Sequence, residues 1–213
     1  MQTKTTTTSP IRILVIIPDA FKKSDKEPVV LPLYRELEKD NTNITVSYLL
    51  KSPPQEDLPN SKQIANMNEL IKAYIDIFSK RFEYIHVHGR SWILPLVSWI
   101  IGRSIGAKSI FSEEEGPITR KDTNIFLKMH AFLRNSIAHI FLSKFDIVLA
   151  FNESAKTYLT TVLQLPNVHE LMIKKDQSVD WHILGEQFFF LIKRHSVFGG
   201  TFEQFVEEKK DTL

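Results

Sequence analysis

Ile11–Ile17 (IRILVII) is a run of β-branched and aliphatic residues interrupted only by Arg12 and stopped by Pro18. An unbroken run of this kind predicts a strand buried on both faces, as in a parallel sheet. Val29–Lys39 (VVLPLYRELEK) has helical spacing, with Pro32 close to the first turn, where its missing amide is tolerated. Ile44–Leu50 (ITVSYLL) reads as a second strand, followed by the proline-bearing loop Lys51–Asn60. Ser61 is then expected to cap a long amphipathic helix, with apolar positions at Ile64, Met67, Ile71, Tyr74, Ile75 and Phe78. Tyr84–Val87 predicts a third strand that runs into His88 and Gly89.

The alternation continues. Trp92–Ile105 predicts an apolar helix closed by Gly106, and Lys108–Ser112 a fourth strand ahead of the loop Glu113–Pro117. Thr123–Lys144 predicts a long helix, Asp146–Phe151 a fifth strand and Ser154–Leu165 a helix. Val168–Lys174 predicts a sixth, weaker strand and Trp181–His195 a last helix. Strands and helices alternate throughout, which implies an α/β fold: a Rossmann-like open parallel sheet with helices on both faces, in a single domain. That domain is expected to span 11–198, between a disordered Thr-rich tail at 1–10 and a flexible tail at 199–213.

Composition adds exclusions. The chain has 213 residues, which at about 100–200 residues per domain allows one domain or two. Hydrophobic residues make up 43% and charged residues 24%, enough apolar material for a substantial core. With no cysteine there is no disulfide, thiolate metal site or cysteine nucleophile, and a reducing compartment is the natural fit. A net charge of +2 is too near neutral to argue for nucleic acid. The polar start lacks the apolar core of a secretory signal. The apolar run Trp92–Ile101 is about half the roughly 20 residues that a membrane span needs. A cytoplasmic location is therefore expected.

In open α/β sheets, ligands bind beyond the carboxyl ends of the strands, so the residues there carry the candidate chemistry. The first strand is followed by PDAFKKSDKEP, which has none of the glycines of a dinucleotide fingerprint or a P-loop. A nucleophile elbow is absent too, so no cofactor is expected. His86 and His88 fall on one face of their strand, as a metal pair would. No further ligand stands at motif spacing, so His86 is expected to be a hydrogen-bonded core residue and no metal is expected. His88, Gly89, Arg90 and Ser91 follow the third strand. Glu113, Glu114 and Glu115 follow the fourth, either as a solvated acidic loop or with a cation or donor nearby, such as Arg90 or Arg120. Asn152 or Ser154 is placed to cap the helix after the fifth strand, where a hydroxyl-rich ligand could also sit. The helix 123–144 carries Lys128, Arg134 and Lys144 beside Ile125, Phe126, Met129, Phe132, Leu133, Ile137 and Phe141. It reads either as core-facing with a basic stripe or as a peripheral contact with the inner membrane face.

These pieces resemble a known family. IRILVIIPDAF, YIHVHGRSWILPLVSWIIGRSIGAKSIFSEEEG and FDIVLAFNESAKTYL are similar to the amino-terminal domain of family-4 glycosyltransferases, retaining two-domain enzymes of the GT-B fold. WHILGEQFFFLIKRH resembles the family's last helix, which crosses back from the second domain onto the first. The chain departs from the pattern in three ways. It has no glycine-rich loop after the first strand. The family's usual histidine is missing at Phe111-Ser112-Glu113. No two glutamates stand eight apart, as the donor-binding domain's E-x7-E pair requires. The resemblance implies the acceptor half of a sugar transferase, acting on a glycan or lipid acceptor. A nucleotide-sugar donor would then be held by a partner chain. It places the acceptor cleft at His88, Gly89, Arg90, Ser91, Glu113, Glu114, Asn152 and Ser154. The alternative is a non-catalytic α/β binding or scaffold module derived from such an enzyme.

Overall fold

The computed structural model describes residues 10–17, 28–40, 43–50, 58–64, 67–89, 93–114, 125–171 and 179–198. Arg90, Ser91 and Glu115 therefore lie outside the described residues, as do both expected tails except Pro10. Seven strands form one sheet: β1 (Ile11–Ile17), β2 (Ile44–Leu50), β3 (Ser61–Gln63), β4 (Tyr84–His88), β5 (Lys108–Glu113), β6 (Ile147–Ala150) and β7 (Val168–Glu170). All neighbours pair in parallel, in the order β3-β2-β1-β4-β5-β6-β7. The helices are α1 (Val30–Asp40), α2 (Met67–Ser79), α3 (Ile93–Ile105), α4 (Ile125–Leu142), α5 (Glu153–Thr157, continued by a π turn at Tyr158–Val162) and α6 (Trp181–Phe198).

The strand order dictates where the helices fall. Right-handed crossovers place a connecting helix on one face when the chain steps one way along the sheet, and on the other face when it steps back. The step from β1 to β2 carries α1 over one face. From β3 onward every crossover runs the opposite way, so α2 to α5 cover the other face. The buried clusters follow this division. Leu14, Ile16, Ile85 and Val87 pack with Ala73 and Ile77 of α2 and Ile101 of α3. Phe111 and Val148 pack with Leu142 of α4 and with Ala155 and Leu159 of the last short helix. On the first face, Ile13, Val15, Val46, Tyr84, Ile110 and Leu149 belong to one cluster with Leu33 and Leu37 of α1. They meet α6 through Leu184, Phe188 and Ile192. Crossover geometry alone would leave β4 to β7 bare on this side, and α6 is the element that covers them.

Two polar contacts fix α6 in place. The Tyr84 hydroxyl donates to the Ile192 carbonyl at 2.8 Å. His182 Nδ1 lies 2.8 Å from Asp40 Oδ2 at the end of α1. Gly106 closes α3 with φ +74°, a conformation that glycine adopts without steric penalty. The Ala107 amide donates from there to the Gly102 carbonyl at 2.8 Å.

The pattern is corrected first at α2. Ser61 does not cap a helix. Asn60 takes φ +57°, and Ser61–Gln63 runs extended beside Tyr48–Leu50 as a seventh, edge strand. The described helix runs from Met67, and among its described side chains Ala73 and Ile77 are buried, while those of Met67, Ile71 and Tyr74 lie outside the described residues. Ile75 and Phe78, expected on the buried stripe, are 64% and 52% exposed. Spacing alone therefore misplaces these two positions. The same holds on α4, where Leu133 is exposed while Phe141 packs on Trp99. The side chains of Lys128 and Arg134 lie outside the described residues. Glu113 is not in a loop: it is the last residue of β5 and is buried. β7 is shorter than expected, ending at Glu170, and the residues 172–178 lie outside the described ones. No helix among the described residues is long and apolar enough to cross a membrane.

Phe188 is fully buried against the sheet. Phe188→Ala should lower the urea-unfolding free energy by about 3–5 kcal/mol. Ile183→Ala, on the exposed side of the same helix, should change it by no more than about 0.5 kcal/mol. Equal effects of the two would show that α6 does not hold the sheet.

Candidate functional site

The core on the α1 and α6 side contains a row of polar groups. His86 and His88 alternate with Val87 along β4, so both point to that side. Ser112 stands opposite His88 in the β4–β5 register. Tyr34 reaches in from the middle of α1. Tyr34 Oη lies 2.8 Å from His86 Nδ1, His86 Nε2 lies 2.7 Å from Ser112 Oγ, and Ser112 Oγ lies 2.8 Å from His88 Nδ1. All four are buried, at 0–6% exposure. A buried polar group without a partner costs about 1–3 kcal/mol, and each of these is matched by its neighbours. Phe188 closes the row from α6, edge-on to Tyr34 with ring centroids 5.5 Å apart.

The row opens at the carboxyl edge of the sheet, beside β1, where the strand order reverses. His88 Nε2 stands 3.7 Å from Glu114 Oε2. That same oxygen accepts from the Val29 amide at 3.3 Å, just ahead of α1. Gly89 turns the chain away from the sheet with φ +94°, and its amide donates to the Ser112 carbonyl at 3.0 Å. The Glu113 carbonyl accepts from the Phe151 amide at 3.1 Å. Asn152 then ties two elements together. Its Nδ2 donates to the Glu114 carbonyl, and its Oδ1 accepts from the Ala155 amide at 2.8 Å, capping α5. Phe151 lies beside the His88 ring, with centroids 6.1 Å apart.

The structure thus brings His88, Gly89, Glu114 and Asn152 to one rim. Glu113 contributes its backbone there, and Ser154 is exposed in the first turn of α5. His86 takes the core role expected of it. Both of its nitrogens face hydroxyl groups, so the pair His86–His88 is not arranged to chelate a metal. Among the described residues, one group has ligand atoms within metal-binding proximity: Glu36, Asp40 and His182, at the junction of α1 and α6. A hollow of about 210 Å³ lies elsewhere, near the β3 edge, among Tyr48, Ser61, Lys62, Asp76 and Phe82. It contains none of the rim residues.

Sequence reasoning did not find Tyr34 or the linking role of Ser112. The signal was available for the first. A tyrosine in the apolar stripe of a helix brings its hydroxyl into the core, where it requires a polar partner. Burial sets the protonation of these groups. Desolvation, and then the neighbouring His88, hold the His86 pKa well below the usual imidazole value. Desolvation, with a smaller contribution from Tyr48, raises the Tyr34 phenol well above its own.

The chain was compared with known proteins. No family model matches it, and no curated protein does. Solved structures do match. A two-segment fragment of a sucrose-phosphate synthase from Thermosynechococcus elongatus superposes with a TM-score of 0.55 at 11% identity, over 85% of this chain and 98% of that one. A type II dehydroquinase from Butyrivibrio crossotus matches with a TM-score of 0.39 at 10% identity, over 73% of this chain and 97% of that one. The first likeness shows a shared fold, a Rossmann-like open parallel sheet.

Acid should destabilise the protein. Burial lowers the pKa of His86, and also those of His169 and His195 at the β7–α6 contact. A group with a depressed folded-state pKa binds its proton more tightly when unfolded. Its stabilisation is complete above the unfolded value of about 6.5 and is lost as the pH falls below it. His182 is shifted upward by its bond to Asp40 and opposes this, but it is exposed and screened. The urea midpoint should therefore fall between pH 7.5 and pH 5.5, and an unchanged midpoint would contradict the buried neutral His86. Separately, Asn152→Ala should cost about 1 kcal/mol through the lost cap, read by the same unfolding measurement.

Proposed function

We propose that the chain is the acceptor-binding half of a glycosyltransferase-like system, holding a glycan or lipid-linked saccharide at the rim formed by His88, Gly89, Glu114 and Asn152. A partner domain or chain would supply the nucleotide-sugar site. The observation that carries this reading is the fold shared with the sucrose-phosphate synthase fragment over nearly all of that fragment. The position of the rim supports it, because open α/β sheets bind ligands at the reversal of strand order. The chemistry supports it as well. A ring N–H and a carboxylate 3.7 Å apart offer one hydroxyl a donor and an acceptor at once. Arg90 and Ser91 follow Gly89 directly in the chain and complete the proposed cleft.

A thermal-shift screen tests this, because a ligand that binds only the folded state raises Tm by mass action. Oligosaccharides and lipid-linked saccharides should raise Tm, by an amount lost in His88→Ala combined with Glu114→Gln. UDP, GDP and their sugars should raise it only when the donor-side partner is present. If no saccharide shifts Tm, or if the shift survives the double substitution, the acceptor cleft is wrongly placed. The non-catalytic binding module is favoured if a saccharide binds and no partner confers transfer.

A further inference from the structure

The row from Tyr34 to Glu114 has a direction. Glu114 Oε2 already accepts from the Val29 amide, so it presents lone pairs to His88 Nε2 at 3.7 Å. A lone pair on that nitrogen would oppose them, whereas an N–H complements them. With its proton on Nε2, the neutral His88 ring accepts at Nδ1, and Ser112 Oγ must donate to it. A hydroxyl has a single proton, so Ser112 accepts in turn from His86 Nε2–H. His86 Nδ1 is then left as an acceptor for the Tyr34 hydroxyl. Every donor points outward, from the sealed core to the rim, and no group in the row lacks its complement.

We infer that Tyr34, His86 and Ser112 are positioning residues that fix the proton of His88 on Nε2, presenting it at the rim as a hydrogen-bond donor to a ligand hydroxyl. The placement itself rests on the geometry alone. The ligand class rests on the acceptor-cleft reading. Burial supports the arrangement by keeping Tyr34 a phenol and His86 a neutral ring. It also fixes what the rim prefers. A hydroxyl can accept from His88 and donate to Glu114 without bringing charge, whereas a phosphate brings negative charge and is repelled by the carboxylate. The rim therefore selects an uncharged polyol over a free phosphate. An imidazolium at His88 would reverse the whole row: Ser112 would donate to His86 Nε2, and His86 would carry its proton on Nδ1.

Long-range nitrogen–proton correlation spectra of the uniformly labelled full chain at pH 7.5 read these tautomers directly. The seven histidines are assigned with the help of His86→Gln and His88→Gln. Both rings should show one form, protonated on Nε2. In Ser112→Ala the His88 signal should lose this single form and show both tautomers, while Ser112→Thr restores it. A wild-type His88 protonated on Nδ1 or on both nitrogens overturns the inference, as does a Ser112→Ala spectrum identical to wild type. If Ser112→Ala does not fold, the wild-type tautomers still decide. Saccharides that raise Tm should bind about tenfold more weakly to Ser112→Ala, the loss expected for one hydrogen bond. Inorganic phosphate should bind neither protein, and a phosphate-induced shift would overturn the polyol preference. Correct tautomers without any saccharide binding would refute the cleft and leave the positioning role intact. Saccharide binding with His88 protonated on Nδ1 would do the reverse.

Discussion

The docking of α6 is the contact on which the rest of the structure depends. Right-handed crossovers put α2 to α5 on one face of the sheet and leave only α1 on the other. Half of that second face, over β4 to β6, would meet water. Phe188 and Ile192 fill this space, and the Tyr84 hydroxyl anchors the helix backbone. The covering is also what makes the polar row possible. With α6 removed, His86 and Tyr34 would be solvated, and water would supply the bonds that they now make to each other.

The buried row and the rim are one construction seen from two ends. Inside, the sheet register sets Ser112 against His88, and the pleat sets His86 two residues back on the same side. Outside, Glu114 and Asn152 lock the ends of β5 and β6 to the starts of α1 and α5. The side chain that the proposed site depends on, His88, is thus held by buried partners on two paired strands and a helix. That is where a site needs its precision.

Much of this was legible in the sequence. IRILVII and ITVSYLL declared buried strands, and the glycine after WILPLVSWIIGRSI marked the end of α3. The cap was expected at Asn152 or Ser154, and Asn152 makes it; His86 has its expected place in the core. What could not be read depended on distant partners. Ser61 resembles a cap until β2 offers an edge to pair with, and Ser61–Gln63 is too short to show a period. Phe78 and Ile75 have the right spacing for a core stripe, but only the sheet decides which side of α2 it covers. Tyr34 and Ser112 are 78 positions apart, by subtraction of their numbers, and no local pattern joins them through His86.

The anchoring of Tyr84 to Ile192 spans 108 positions. A ribosome therefore delivers all seven described strands and five of the six described helices before the lid that seals them. Until α6 arrives, the nascent sheet presents an apolar surface over β4 to β6 with a row of imidazoles and hydroxyls at its centre. Contacts this distant in the chain slow folding and prolong the exposure of such surfaces. The same helix that completes the core thus makes synthesis of the protein a period of vulnerability, in which any passing hydrophobic surface competes for its place.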